Sequence, residues 1–218
     1  MDSTNHQLSA REVQRVQANR DELVERLARA IRQDGTVEPL EGLRLRRSSS
    51  PTELGYSVSF PALCVIAQGS KELWLGNNRY RYDPAHYLIA TAELPIASRI
   101  AEASQEKPYL GLVLTLDLTL ISSVMVEAGH PAPRIHATVK AIAVSPLDAD
   151  LLDAVVRLVR LLDCPAEARF LAPLIKREIV YRLLNDEQGE RLCYVAAMGG
   201  HTHRIAQAID RLRKDFHR

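Results

Sequence analysis

Between residues 61 and 116, short apolar or alternating runs recur every eight to twelve positions, separated by turn residues. Leu63 to Ala67 is a continuous apolar run, the pattern of a strand buried on both faces. Gly76-Asn77-Asn78 sits between Leu73-Trp74-Leu75 and Tyr80-Arg81-Tyr82, which predicts a hairpin with both tyrosines on one face. Asp83-Pro84 marks a turn. Ile96, Ser98 and Ile100 then alternate with Ala97, Arg99 and Ala101, and Leu110, Leu112 and Leu114 form the last clear strand. This rhythm predicts a small antiparallel barrel or sandwich, whose interior can hold a small molecule.

The flanks follow a different period. Residues 9–34 predict a helix, with Ser9 and Glu12 as a capping box, Val13, Val16, Leu23, Val24, Leu27 and Ile31 on one face, and Gly35 as the stop. Residues 36–60 hold the alternating Leu43-Arg44-Leu45-Arg46 and a break at Ser48 to Pro51; they read equally as a mobile arm or an edge strand. After Asp117 the period becomes helical. Residues 118–128 predict a helix ended by Gly129, residues 139–144 a strand returning to the sheet, and residues 148–162 and 167–184 an antiparallel helical hairpin. A short helix over 188–197 and a last one over 203–216 follow, with Gly199-Gly200 between them.

Composition narrows the classes. The chain has 218 residues, 46% of them apolar, which suffices for a real core. With 28 basic and 27 acidic residues the formal charge is +1, so a chain-wide basic footprint for nucleic acid is missing. Cys64, Cys164 and Cys193 show neither zinc spacing nor a disulfide framework, which suits a reducing, cytoplasmic setting. The polar start lacks a signal-peptide pattern, and no apolar run reaches the ~20 residues that span a bilayer.

A set of strings in register gives more. Gln68-Gly69-Ser70-Lys71, Leu75-Gly76, Tyr82-Asp83-Pro84, Tyr87-Leu88-Ile89, Glu93-Leu94-Pro95-Ile96, Ala103-Ser104, Pro108-Tyr109-Leu110 and Leu116-Asp117 resemble the N-terminal regulatory domain of AraC-type transcription regulators. The likeness is dense over residues 45–118 and looser through Arg177 to Leu184. It implies an α+β fold: a cupin-like antiparallel β-barrel, preceded by an N-terminal helix and followed by a helical dimerisation region. The expected parts are a helix over 1–35, an effector-binding barrel over 36–117, a dimerisation region over 118–198, and a linker with the opening helix of a DNA-binding module over 199–218. His203 to Arg213 resembles that opening helix. A helix-turn-helix needs a second helix seated in the major groove. Neither recognition helix lies before Arg218, so specific DNA binding is expected only of a full-length form that carries them.

Candidate chemistry is weighed against plainer roles. A catalytic cupin holds its metal with a His-x-His pair, a Glu and a later His. The β region has one histidine, His86, so no metal is expected there. His201 and His203 supply too few ligands for a closed zinc site. Neither a Gly-x-Ser-x-Gly elbow nor a phosphate loop occurs, and no catalytic residue is assigned. Trp74, Tyr80, Tyr82 and Tyr87 are the best pocket signal, although aromatic residues also favour strands for packing alone. Cys64 and Ile66 would join the tyrosines on an inward face, and Arg99 could neutralise an anionic effector, unless it faces solvent. Leu151, Val155, Leu158 and Leu162 form a stripe that serves as core, as a dimer seam, or as both.

The expected function is the effector-sensing and dimerisation portion of an AraC-type regulator: a homodimer, without cofactor, binding a small molecule in a metal-free barrel. The alternatives are a cupin-fold isomerase or oxygenase, and a short form that pairs with a full-length regulator.

Overall fold

The computed structural model describes residues 2–130 and 140–197, with side chains from residue 10 onward. Its order is α1 (Asp2–Ala30), β1 (Gly35–Leu40), β2 (Leu43–Ser48), β3 (Gly55–Val58), β4 (Ala62–Gln68), β5 (Ser70–Leu75), β6 (Asn78–Tyr82), β7 (His86–Ala90), β8 (Pro95–Glu102) and β9 (Tyr109–Thr115). There follow α2 (Leu118–Glu127), β10 (Ile142–Pro146), α3 (Ala149–Arg160), a 3₁₀ turn over Leu161–Asp163 and α4 (Pro165–Leu184). Residues 189–197 are helical again. The expected last helix over 203–216 lies outside the described residues.

The strands form two antiparallel sheets, ordered β1-β2-β9-β4-β7-β10 and β3-β8-β5-β6. They face each other as a barrel-like pair, so the fold is α+β as expected. The chain crosses between them at Gly69, whose φ of +87° is a left-handed conformation. A Cβ there would stand 2.4 Å from the Glu102 carbonyl oxygen, so backbone angle and space both select glycine.

Strand parity assigns the two faces of the larger sheet. Leu43 and Leu45, Leu63 and Val65, Tyr87 and Ile89, and Leu110, Leu112 and Leu114 point toward the helices. There they pack with Leu23, Leu27 and Ile31 of α1 and with the buried residues of α3 and α4. The opposite face joins the smaller sheet around Ile66, Leu73, Tyr82, Leu88, Ile100 and Tyr109. β4, central in its sheet, is buried on both faces, as its unbroken apolar run predicts.

The segment 36–60 resolves into more than an edge. β1 and β3 are edge strands, while β2 lies between β1 and β9. The return strand runs Ile142–Pro146 and pairs with β7. Its expected first residue, 139, lies outside the described residues.

Helix ends follow local chemistry. The Asp117 carboxylate accepts from the Thr119 N–H (2.7 Å), and Asp148 accepts from the N–H groups of Asp150 and Leu151 (2.8 Å each). α1 instead begins at Asp2, so Ser9 is inside the helix and the capping-box start is corrected.

α3 corrects the expected dimer seam. Leu151, Val155 and Leu158 are each 1% exposed, and Leu162 packs against the same core. Ala149, Leu152, Ala154, Val156 and Val159 are buried too, which leaves Asp150, Asp153, Arg157 and Arg160 for the surface. α3 lies between α1 and α4, so the stripe is used up inside the monomer.

Candidate functional site: a chamber between the sheets

A cavity of about 190 Å³ lies between the two sheets. The larger sheet lines it with Arg44, Arg46, Cys64, Leu88 and Val113. The smaller sheet supplies Lys71, Leu73, Tyr82, Ile96 and Ser98. Thr36 and the segment Ser57–Phe60 also line it, and the exposure of Thr36, Ser57 and Val58 marks the open end.

The register explains these positions. In β2 the leucines of Leu43-Arg44-Leu45-Arg46 face the helical core, so the arginines must face the chamber, across from Val113 and Gly111 of β9. Arg44 stacks on Phe60, its guanidinium 4.3 Å from the ring centre. In β5, Lys71 and Leu73 point inward, paired with Tyr82 and Tyr80 of β6. Lys71 is half-buried between the sheets, and that burial lowers its ammonium pKa below the ordinary lysine range. Burial likewise raises Cys64 above the usual thiol value, and raises Tyr82 and Tyr109 above the usual phenol value, so all three stay neutral. Arg44, Arg46 and Lys71 have neither an ion-pair partner nor a side-chain hydrogen bond among the described residues.

Of the seven residues expected to line a pocket, the structure brings Cys64 and Tyr82 to the chamber wall. Ile66 belongs to the same interior cluster, and Tyr80 packs against its edge. Three lie elsewhere. Trp74 and Arg99 sit on the outer face of the smaller sheet, because Leu73 takes the inward position and parity turns residues 72 and 74 out. There Trp74 lies between Arg79 (5.7 Å) and Arg99 (5.6 Å). Glu72 accepts from both arginines, from Arg99 Nε at 2.8 Å, and Arg79 is the chief cause of its lowered carboxyl pKa. Tyr87 faces the helices, fully buried, and its hydroxyl donates to Asp186 at 2.6 Å.

The sequence reading missed Arg44, Arg46 and Lys71 as lining residues. The alternation in β2 carried the signal: once leucine is assigned to the core, every arginine between belongs to the other face. His86 is not a ligand candidate; its Nδ1 lies 2.8 Å from Asp83 in the turn before β7. Among the described residues no group of three His, Cys, Asp or Glu side chains is placed to hold a metal. None of the described helices is long and apolar enough to cross a membrane.

The family described as "AraC-type transcriptional regulator N-terminus" matches residues 39–191. The chain belongs to that family. The match spans β2 through β10 and the helices after them, and so contains the whole wall of the chamber except Thr36. A search of curated proteins gave no match. Among solved structures, the chain is similar to apo ToxT K231A from Vibrio cholerae, with TM-score 0.47 and 8% identity over 70% of this chain and 58% of that one. The AraC-like transcriptional activator CuxR gives TM-score 0.38 and 12% identity over 74% of this chain and 54% of that one. The chain thus spans little more than half the length of these two proteins.

Proposed function

We propose that this chain is the effector-sensing and dimerisation portion of an AraC-type transcription regulator. The chamber carries the sensing half of the reading. It combines apolar walls with a few unpartnered polar groups, the usual make-up of a small-molecule site. Within this reading Cys64 and Tyr82 contact the effector, with Ile66 and Tyr80 behind them. Trp74, Tyr87 and Arg99 support the walls from outside.

A conformational signal needs a route and a differential affinity. Tyr87 of β7 donates to Asp186, and Gln188 Nε2 donates to the Ser145 hydroxyl of β10 (2.5 Å). These bonds tie the far edge of the larger sheet to the turn between α4 and the helix at 189–197. An effector that prefers one position of β7 therefore biases the helices beyond.

The dimerisation half rests on α4 rather than α3. Phe170 (74% exposed), Leu174 (62%) and Tyr181 (51%) lie within about 40° of each other around the helix, opposite Ala172, Ile175 and Ile179 in the core. A helix that is apolar on both faces needs a partner on each. A second copy of α4 meets that need, because a two-fold axis sets like residues against like. The test is a thermal-shift screen of small metabolites, followed by equilibrium sedimentation with and without each hit. Saturable stabilisation supports the reading. A protein that no small molecule shifts and that stays monomeric at ~100 μM, well above a micromolar Kd, refutes it.

A further inference from the structure

We propose that the chamber takes a small organic anion, with Lys71 as its counter-ion inside and Arg44 and Arg46 at the entrance. This rests on the reading of the chamber as an effector site and adds the ligand's chemical class. Three cations line one cavity, and no Asp or Glu is among its lining residues. Exposed Glu53 borders the neighbouring hollow that shares Arg46 and Lys71, but it lies beyond ion-pair distance of both. Lys71 is half-buried, and an ammonium drawn partly out of water without a partner is unfavourable. The remaining wall gives it no charge: Leu73, Leu88 and Val113 are apolar, Ser57, Ser59 and Ser98 offer only neutral hydroxyls, and the Cys64 thiol and Tyr82 phenol are neutral. A carboxylate-type headgroup supplies the missing charge, and the apolar wall fits a compact hydrocarbon body.

Size limits that body. A dry engineered cavity of about 150 Å³ holds benzene. The chamber's 190 Å³ therefore suits one ring with its headgroup better than a long chain. The arginines act from β2, where Arg46 is exposed and Arg44 half-buried. Their positive field at the open end draws anions in and disfavours cationic competitors.

Binding is coupled to protons with a defined sign. Burial disfavours the Lys71 ammonium in the empty chamber, and an anion restores it. Among the facing groups, Arg46 lowers the Lys71 pKa in the same direction as burial. Arg44 and Arg46 are the facing cations, Cys64, Tyr82 and Tyr109 stay neutral, and Glu53 is the one facing carboxylate among the described residues, at the adjoining hollow. Anion binding thus takes up protons and weakens as pH rises through the range where the empty-state lysine loses its proton.

The experiment uses the 218-residue chain with benzoate and benzyl alcohol as matched probes, in calorimetry with two buffers of different ionisation enthalpy. The expected result is benzoate binding at least ~10-fold tighter than benzyl alcohol, with net proton uptake. Lys71→Met should weaken benzoate at least ~10-fold and leave benzyl alcohol within about twofold, as expected for loss of a charged hydrogen bond. Equal affinity for the two probes in the wild type overturns the anion without recourse to any variant. So does full retention of benzoate by Lys71→Met. Benzyl alcohol binding without benzoate leaves the effector chamber standing and removes the anion. Binding of neither overturns the one-ring anion and leaves the effector chamber to the metabolite screen.

Discussion

Phe170→Ala and Leu158→Ala separate the two helices that compete for the proposed dimer interface. Phe170 on α4 is 74% exposed, and an aromatic side chain presents roughly 150–250 Å². Covering its free part removes about 150 Å² of apolar surface per copy, or about 4 kcal/mol at 25 cal/mol per Å². Truncation to alanine forfeits most of that, and a two-fold interface counts the loss twice. Even if ordering and imperfect fit consume half of it, the dimer weakens by about 100-fold or more. The folded monomer is expected to change by less than about 0.5 kcal/mol, as for a surface substitution. Leu158 on α3 behaves oppositely. It is 1% exposed in the main core, so truncation costs about 2–5 kcal/mol of folding stability. Association of the surviving folded protein should be unchanged. Sedimentation velocity across a dilution series measures the first effect, and urea unfolding the second. Dissociation of the dimer by Leu158→Ala with unchanged unfolding would restore the α3 seam and refute the assignment to α4.

Tyr87→Phe removes the donor that Asp186 accepts, and should cost about 1.5–3 kcal/mol, read as a lower urea midpoint at unchanged slope. If sensing passes through β7, the same variant also uncouples effector binding from protease protection of the residues after 184. Gly69→Ala meets both a left-handed φ and the Glu102 carbonyl; it should destabilise by at least ~2 kcal/mol, and a soluble variant with an unshifted melting temperature would contradict the corner geometry. The Glu22 carboxyl, hydrogen-bonded by Arg160 of α3 and Arg26 of α1, has its pKa lowered to about 2 from 4.5. A lowered folded-state pKa gives stability that is complete above the unfolded value and fades as pH falls toward 2. Acid should therefore loosen α1 from α3 between about pH 4.5 and 2, by at most about 1 kcal/mol because the pair is solvent-screened. Hydrogen exchange along α1 at pH 5 and 3 measures it, and Glu22→Gln should reduce the difference to the part carried by the Arg15–Asp150 pair.

The β region was legible because each strand records its own burial. β4 reads as doubly buried and is; the Gly76-Asn77 turn joins β5 to β6; the tyrosines of β6 share the inward face. What a strand does not record is which of its faces is which. Tyr87 and Trp74 carry the same aromatic signal as Tyr82, yet one packs under helices and the other lies between two arginines outside. Only the pairing with distant strands decides: Trp74 lies beside Ala97 of β8, and Tyr87 beside Val65 of β4 and Ser145 of β10. Counting aromatic residues therefore located the barrel but not its lining.

The helices reversed the difficulty. α3 has the sharper apolar stripe, and sharpness suggested an interface. A stripe clean enough to be noticed is one that a single environment has selected, and for α3 that environment is the monomer core. α4 has apolar residues on opposite faces, a pattern that blurs periodicity because two environments act on it at once. The same logic governs β2. Its leucines answer to the helical core and its arginines to the chamber, so Leu43 to Arg46 looks like an amphipathic edge while forming an interior wall. In β2 charge marks the cavity, whereas Glu72 and Arg99 on the central strands of the smaller sheet mark its outer face.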